Sequence, residues 1–350
     1  MRRENRTSKA VSAVLVVSLV ALSGLGAYLV NQTILDSSPL VGSAVKVATS
    51  SFSPFVGAVG NVGYLYVGLL NGTVVKMEAQ SGKVVKSVAL PDQNSAAHLV
   101  YYNDSVYVGT EKLPGAKDTG PYHVYRIDSQ TMQIAGQMAM NLHEANGFLL
   151  AFNGYLWAGD GQCTLYKIAP RNLTVVKMVP NVAEDEMAFD GQYYWTQCVH
   201  SVHVLKADST LSSVAAGVLT GPGRPRGFFI LGSSTYCTDT ANFTRHRMLL
   251  SGHTVMFSRV GSFLDQAIGT RDAFSLKGLL YFYETRDDRQ VPGRIIVYDG
   301  NQKLEVVVNL FGYGLPTDAS QHSMFLLDGR IYFVTPSVVG YLLPFDAQAV

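Results

Sequence analysis

"GYLYVGLLNGTVVKMEAQSGKVVKSVAL", residues 63–90, decides the fold. It reads as three short apolar-polar strands joined by two tight turns, with the dipeptides NG at 71–72 and SG at 81–82 marking the reversals. Three strands cannot bury their own faces in water. The stretch therefore needs neighbours, and the remainder of the chain supplies further copies of it.

The repeating pattern is an apolar strand, a turn often containing Gly, then a strand centred on an aromatic. The copies are "NVGYLYVG", "YNDSVYVG", "FNGYLWAG", "FDGQYYWT", "LGSSTYCT", "LKGLLYFYE" and "LDGRIYFVT". Their aromatics are Tyr66, Tyr107, Trp157, Tyr194, Tyr236, Tyr281 and Tyr332, spaced by 41, 50, 37, 42, 45 and 51 residues. A period of about 44 residues is that of one propeller blade. A third strand follows most copies ("TVVKMEA", "YHVYRID", "TLYKIAP", "VHVLKAD", "RIIVYDG"), and a fourth often follows that ("KVVKSVAL", "QIAGQMAM", "TVVKMVP", "LEVVVNL"). The expected fold is an all-β, seven-bladed β-propeller of four-stranded blades over residues 43–350. Radially packed sheets bury each other's faces and leave only short edges. The last copy has room for about three strands before Val350. "SAVKVATS", residues 43–50, is expected to supply the missing outer strand.

Ahead of the repeats, "MRRENRTSKA" carries Arg2, Arg3, Arg6 and Lys9, and residues 11–30 hold no charge in 20 positions. As a helix that run reaches about 30 Å, the hydrocarbon thickness of a bilayer. The basic flank places the N-terminus in the cytoplasm and the rest outside. The expected division is a cytoplasmic tail at 1–9, a transmembrane signal anchor or signal peptide at 10–30, a linker at 31–42 and the propeller. Cleavage near "SGLGA", residues 23–27, would make the protein secreted. Formal net charge is +1 and charged residues are 15% of the chain, which leaves no footprint for nucleic acid.

Five N-x-S/T sequons follow the apolar run, at Asn31, Asn71, Asn103, Asn172 and Asn242, and are expected glycan acceptors. Cys163 and Cys198 fall after the aromatic strand in adjacent copies, near equivalent turns, and form the candidate disulfide. Cys237 lies within its strand and is expected to be buried.

The innermost strand of each blade should line the channel. Ten residues before each repeat aromatic lie Val56, Ala97, Gly147, Glu184, Arg226, Arg271 and His322, and one position later Gly57, His98, Phe148, Asp185, Gly227, Asp272 and Ser323. The polar members are the candidate ligand-binding residues of a funnel: His98, Glu184, Asp185, Arg226, Arg271, Asp272 and His322. Arg226 and Arg271 suit a carboxylate, and Glu184 or His322 could act as a base. No metal or cofactor is expected. Glu184, Asp185 and Glu186 could alternatively hold Ca²⁺ through oxygens. Three excursions, residues 110–123, 219–229 and 284–294, are rich in Pro, Gly and charge and should present a recognition face to a protein or glycan partner.

Two family resemblances add to this reading. "LYVGLLNGTVVKMEAQSGKVVKSV", through Gly68, Gly72, Ser81, Gly82 and Lys83, resembles the repeat of quinoprotein and surface-layer (YVTN-type) propellers. That likeness implies a propeller, and in its enzyme members a quinone cofactor. "SKAVSAVLVVSLVALSGL", through Lys9, Ala10, Val11 and Ser12, resembles the start of archaeal type IV pilin precursors. That likeness implies cleavage near Ala10–Val11 and a helix packed into a filament. The first reading is a membrane-anchored, extracytoplasmic binding or adhesion module. The alternatives are a propeller enzyme (lyase, hydrolase or quinone-dependent oxidoreductase) using the funnel, and a filament subunit with a propeller head.

Overall fold

The computed structural model describes residues 44–50, 53–111, 122–140, 146–184, 187–220, 224–231, 233–239, 244–262, 269–276, 279–285, 292–298, 304–313 and 324–343. Ser43–Pro344 form one compact unit; a second, Met1–Gly42 with Phe345–Val350, lies outside the described residues. The expectations for residues 1–42 therefore also lie outside them. Among the described residues no helix is long and apolar enough to cross a membrane.

The described secondary structure is all β. Strand β1 is Ala44–Thr49. The first sheet follows as β2 (Phe55–Asn61), β3 (Tyr64–Leu69), β4 (Thr73–Glu78) and β5 (Val84–Ala89). The second is β6 (Ser95–Tyr102), β7 (Ser105–Glu111), β8 (Tyr122–Asp128) and β9 (Ile134–Met140). The third is β10 (Asn146–Phe152), β11 (Tyr155–Asp160), β12 (Leu165–Ala169) and β13 (Thr174–Val179). A fourth run is β14 (Met187–Phe189), β15 (Tyr193–Cys198), β16 (Ser201–Lys206) and β17 (Ser213–Val218). A fifth is β18 (Pro225–Leu231), β19 (Ser234–Asp239), β20 (Thr244–Ser251) and β21 (Thr254–Ser262). A sixth is β22 (Gly269–Leu276), β23 (Leu279–Thr285), β24 (Pro292–Tyr298) and β25 (Leu304–Tyr313). The last comprises β26 (Met324–Leu327), β27 (Arg330–Val334) and β28 (Val338–Leu342).

Each run is an antiparallel meander, with its strands hydrogen-bonded in chain order. β1 completes the last sheet, in the order β1-β28-β27-β26, with Ala44 opposite Leu342 and Thr49 opposite Val338. The strand expected from residues 43–50 is thus in place, and it ties the start of the unit to its end. First strands lie side by side from run to run: β2 with β6, β6 with β10, β14 with β18, β18 with β22, β22 with β26, and β26 with β2.

One expectation needs correction. The fourth and fifth runs are not separate sheets but a single eight-stranded one, because outer strands β17 and β21 pair in parallel at Ala216 and Thr254. The fifth run turns from its third to its fourth strand through the tight hairpin Ser251–Thr254, where other runs use a longer turn such as Glu78–Lys83. Its outer strands are longer too, eight and nine residues.

The core lies between sheets, which answers what the free face of residues 63–90 leans on. In "LYV" at 65–67 the side chains alternate. Leu65 and Val67 pack back on Tyr332, Val334 and Val339 of the last sheet, whereas Tyr66 packs forward on Leu99, Val106 and Tyr125 of the second. The same alternation recurs one sheet on, with Val106 and Val108 facing back and Tyr107 facing forward onto Leu149 and Leu156. Each such side chain removed from water contributes about 1.5–3 kcal/mol.

The repeat aromatics also reach across by hydrogen bond. Tyr66 donates its hydroxyl to Ser129 O (3.1 Å), Tyr107 to Pro170 O (3.1 Å) and Tyr332 to Ala79 O (3.3 Å). Each acceptor lies in the turn between the third and fourth strands of the next sheet. A cation directly opposite the aromatic on the third strand often reaches the same turn. Lys76 Nζ donates to Ser129 O (2.8 Å), and Arg126 donates to Arg171 O. These turns have the geometry to accept. Asp128 Oδ1 takes hydrogen bonds from the Thr131 N–H (2.7 Å) and hydroxyl (2.8 Å), which hold the chain tight and its carbonyls outward.

Candidate functional site

Meander direction sorts the connections to two ends. The first-to-second and third-to-fourth turns gather at one end. The second-to-third and fourth-to-first connections gather at the other, here called the loop end. All three expected excursions fall at the loop end: between β7 and β8, between β17 and β18, and between β23 and β24. Most of their residues lie outside those described.

The row ten residues before each aromatic has a structural meaning that the sequence did not announce. In five of the seven runs it is where the first strand carries a β-bulge. Pairing with the second strand skips Val56, Ala97, Gly147 and Arg271, and in β18 it shifts directly after Arg226. A bulge adds twist and leaves backbone polar groups outside the ladder, as strands beside binding sites often do. The backbones of Arg226, Arg271 and Asp272 are thereby placed at the loop end of first strands. Their side chains, and all of Asp185 and His322, lie outside the described residues, as does Glu186.

His98 is placed differently from a funnel residue. It is fully buried within β6, with Nε2 2.6 Å from Glu111 Oε1 at the end of β7, so it is not presented to an open channel. Beside it stands a second histidine–carboxylate pair that sequence reasoning missed. Asp92 Oδ2 lies 2.9 Å from His123 Nδ1 and accepts the Thr110 hydroxyl at 3.1 Å, while the His123 N–H donates to Thr110 Oγ1 at 2.9 Å. Burial and the neighbouring Asp92 raise the Tyr125 phenol well above its ordinary value. Together these pairs bracket residues 112–121 on both sides. Asp92 and His123 are 31 positions apart, and neither belongs to a recognisable motif.

The most constrained part of the loop end joins the third and fourth runs. Cys163 and Cys198 form a disulfide with Cα atoms 5.3 Å apart, linking the β11–β12 and β15–β16 connections. Cys237, buried in β19, takes no part in it. Asp160 is buried and accepts the N–H groups of Gln162 (2.9 Å) and Thr164 (2.7 Å) and the Tyr166 hydroxyl (3.0 Å). Burial, then Asp160, pushes the Tyr166 phenol up to about 12. Glu184, singled out in the sequence, binds Arg224 through Oε1 (3.1 Å) and the Val199 N–H through Oε2 (2.9 Å).

Val199 is one of two valines, with Val62 (φ 24°) at the turn end, that take a positive φ in a two-residue hairpin. It is the first residue of the two-residue hairpin between Cys198 and Ser201, and its φ is 53°. That position favours Asn or Gly. A β-branched residue there is strained by roughly 1–2 kcal/mol. Both its main-chain polar groups are gripped, the N–H by Glu184 and the carbonyl by the buried Gln197 Nε2 at 2.7 Å, while its side chain is exposed. Strain held by its surroundings is a marker of functional positions.

Two hollows lie at the opposite, turn end. One of about 370 Å³ is lined by Glu78, Asp328, Arg330 and Tyr332, and one of about 180 Å³ by Asp190, Trp195 and Arg247. Their carboxylates serve local structure. Glu78 takes the Ser81 hydroxyl (2.6 Å), Asp328 the Gly63 N–H (3.1 Å) and Asp190 the Trp195 indole N–H (2.7 Å). Among the described residues, no three His, Cys, Asp or Glu side chains come together as metal ligands would.

No protein-family model matches the sequence, and no curated protein matches it. Among solved structures the chain is similar to BamB from Moraxella catarrhalis. The two share 12% identity and a TM-score of 0.55, over 83% of this chain and 85% of that one. With the repeated four-stranded sheets, this likeness supports a β-propeller fold. Matches extend to 1518 chains, so the likeness identifies a widely used fold and not a function.

Proposed function

We propose that the protein is a membrane-anchored, extracytoplasmic propeller of seven blades that binds a protein partner through its loop end. Seven runs of four strands, counting β1 with the last, and first strands adjacent at six of the seven joints, among them β26 beside β2, support the ring. A disulfide suits an oxidising compartment. The anchor reading rests on the uncharged residues 11–30 behind a basic tail. β1 begins at the turn end, where Ala44 faces Leu342, the end opposite the loops.

The observation that carries the binding reading is Val199. An exposed aliphatic side chain is held in a strained hairpin by a disulfide, a carboxylate and a buried amide. Pre-organisation of that kind lowers the entropic cost of docking. An apolar contact suits a protein surface better than a glycan.

A photo-crosslinking residue tests this when placed at Val199 and, separately, at Val62, a more exposed hairpin valine at the turn end. The protein is produced in its native host and irradiated in intact cells. Adducts with a discrete protein from position 199 and none from position 62 are expected. Equal labelling from both, or adducts from position 62 alone, contradicts the reading.

A further inference from the structure

We infer that Asn71 and Asn172 carry N-linked glycans and that Asn103 is the poorer acceptor, an inference that rests on the extracytoplasmic reading above. All three sequons lie on exposed turns with the hydroxyl residue opening the next strand: Thr73 begins β4, Ser105 begins β7 and Thr174 begins β13. At two of them the asparagine side chain is already oriented. Asn71 Oδ1 accepts the Thr73 N–H at 3.2 Å; Asn172 Oδ1 accepts the Thr174 N–H at 3.3 Å and the Thr174 hydroxyl at 2.9 Å. The amide oxygen is turned into the chain reversal, and the amide nitrogen is the atom left to face outward. Asn153 supplies an internal contrast. It occupies the turn of the third sheet equivalent to Asn103, but its Nδ2 donates to Tyr194 at 3.2 Å and position 155 is Tyr, so it is no acceptor.

The chemistry required is attack of Asn Nδ2 on the anomeric carbon of a lipid-diphosphate-linked oligosaccharide. The N–C bond forms, the C–O bond to phosphate breaks, the lipid diphosphate leaves, and the amide proton passes to a base of the transferase. That donor is anionic. At Asn103 the next residue is Asp104, exposed on the same turn, whose carboxylate repels it. At Asn71 and Asn172 the intervening residues are Gly72 and Leu173, which carry no charge. Asn71 sits at the loop end of the first sheet, and Asn172 at the turn end of the third. Neither lies on the loop end of the third and fourth runs, so both glycans leave Val199 free.

Glycopeptide mass spectrometry of the protein from its native source tests the inference, with thiol alkylation of Cys163 and Cys198 read in the same digest. Glycans on the peptides holding Asn71 and Asn172, at higher occupancy than at Asn103, are expected. Asn172→Gln and Thr174→Ala should each remove one glycan mass, and Thr174→Ser should keep it. Bare Asn71 and Asn172 peptides with the disulfide intact overturn this inference and leave the compartment standing. Bare peptides with both cysteines alkylated overturn the compartment and the inference together. Higher occupancy at Asn103 than at the other two overturns the orientation and charge argument.

Discussion

The joint between the first two sheets and the joint between the fourth and fifth runs hold by different means. At the first, Tyr66 and Lys76 reach over and both donate to Ser129 O, and Gly68 lets the backbone of Ala96 approach. The contact is deep, side chain to turn. At the second, the tight hairpin Ser251–Thr254 replaces the turn that would accept such a latch, and contact moves to the rim. There Ala216 N–H donates to His253 O (3.3 Å), His253 Nδ1 meets Val214 O (2.9 Å) and β17 pairs with β21. A repeat can thus lose its latch and keep its place, provided its outer strands lengthen enough to touch. The joint between the third and fourth runs is a third case. Its aromatic is Trp157, whose indole N–H donates to Phe152 O within its own sheet (3.3 Å). The Cys163–Cys198 bond crosses that joint instead.

The largest test of this contrast removes the covalent tie. The bridge closes a chain segment of 35 residues. Replacing both cysteines by serine should lower stability by about 3–4 kcal/mol, read as a fall in the urea midpoint. A loss under about 1 kcal/mol would show that the third joint is latched in some other way.

Glycine substitution then sharpens the difference between deep and rim contact. A Cβ on Gly68 would stand 1.9 Å from Ala96 O inside the packed joint. Gly68→Ala should cost about 1–3 kcal/mol. Gly217 faces a carbonyl slightly farther off, Val255 O at 2.2 Å, but at the rim, where β17 and β21 can part. Gly217→Ala should cost about 0.5 kcal/mol or less. Equal losses would mean that the rim seam is as rigid as the joint.

Tyr66→Phe removes one of the two donors to Ser129 O and should cost about 0.5–1 kcal/mol. The fifth run's own repeat aromatic, Tyr236, stacks on Phe229, with centroids 5.0 Å apart, and Tyr236→Phe should leave stability unchanged. The smallest effect is in pH. Burial lowers the affinity of His203 and His246, both in the eight-stranded sheet, for a proton. The unfolded chain, with histidine near its ordinary value of about 6.5, takes up protons first. Stability is therefore full above about pH 6.5 and declines as pH falls through that value toward the lowered ones. His203→Gln should flatten part of that decline in urea titrations at successive pH values.

The strands were legible in the sequence because their cues are local. Alternation, NG and SG turns and a repeated aromatic marked the first three sheets, and "SAVKVATS" was legible as the missing strand because the last repeat ran short. The disulfide was legible through the repeat, which set both cysteines in equivalent connections. The latch was not, since its acceptors are backbone carbonyls 63 residues from the tyrosines, and every residue type carries one. The eight-stranded seam was hidden for the same reason, as edge pairing uses main-chain groups. Of the candidate site, Glu184 was found by register, and its grip on Val199 and Arg224 only by structure. The Asp92–His123 pair left no signal, because the two residues meet only after the second sheet forms.

Hydrogen exchange along β1 and β28 tests most directly the claim that one repeated unit closes on itself through its first strand. The account predicts that the β1 amides paired to β28, within Ala44–Thr49, exchange as slowly as those of Val338–Leu342. Fast exchange throughout β1 beside a protected β28 would contradict it, leaving an open array in place of a ring.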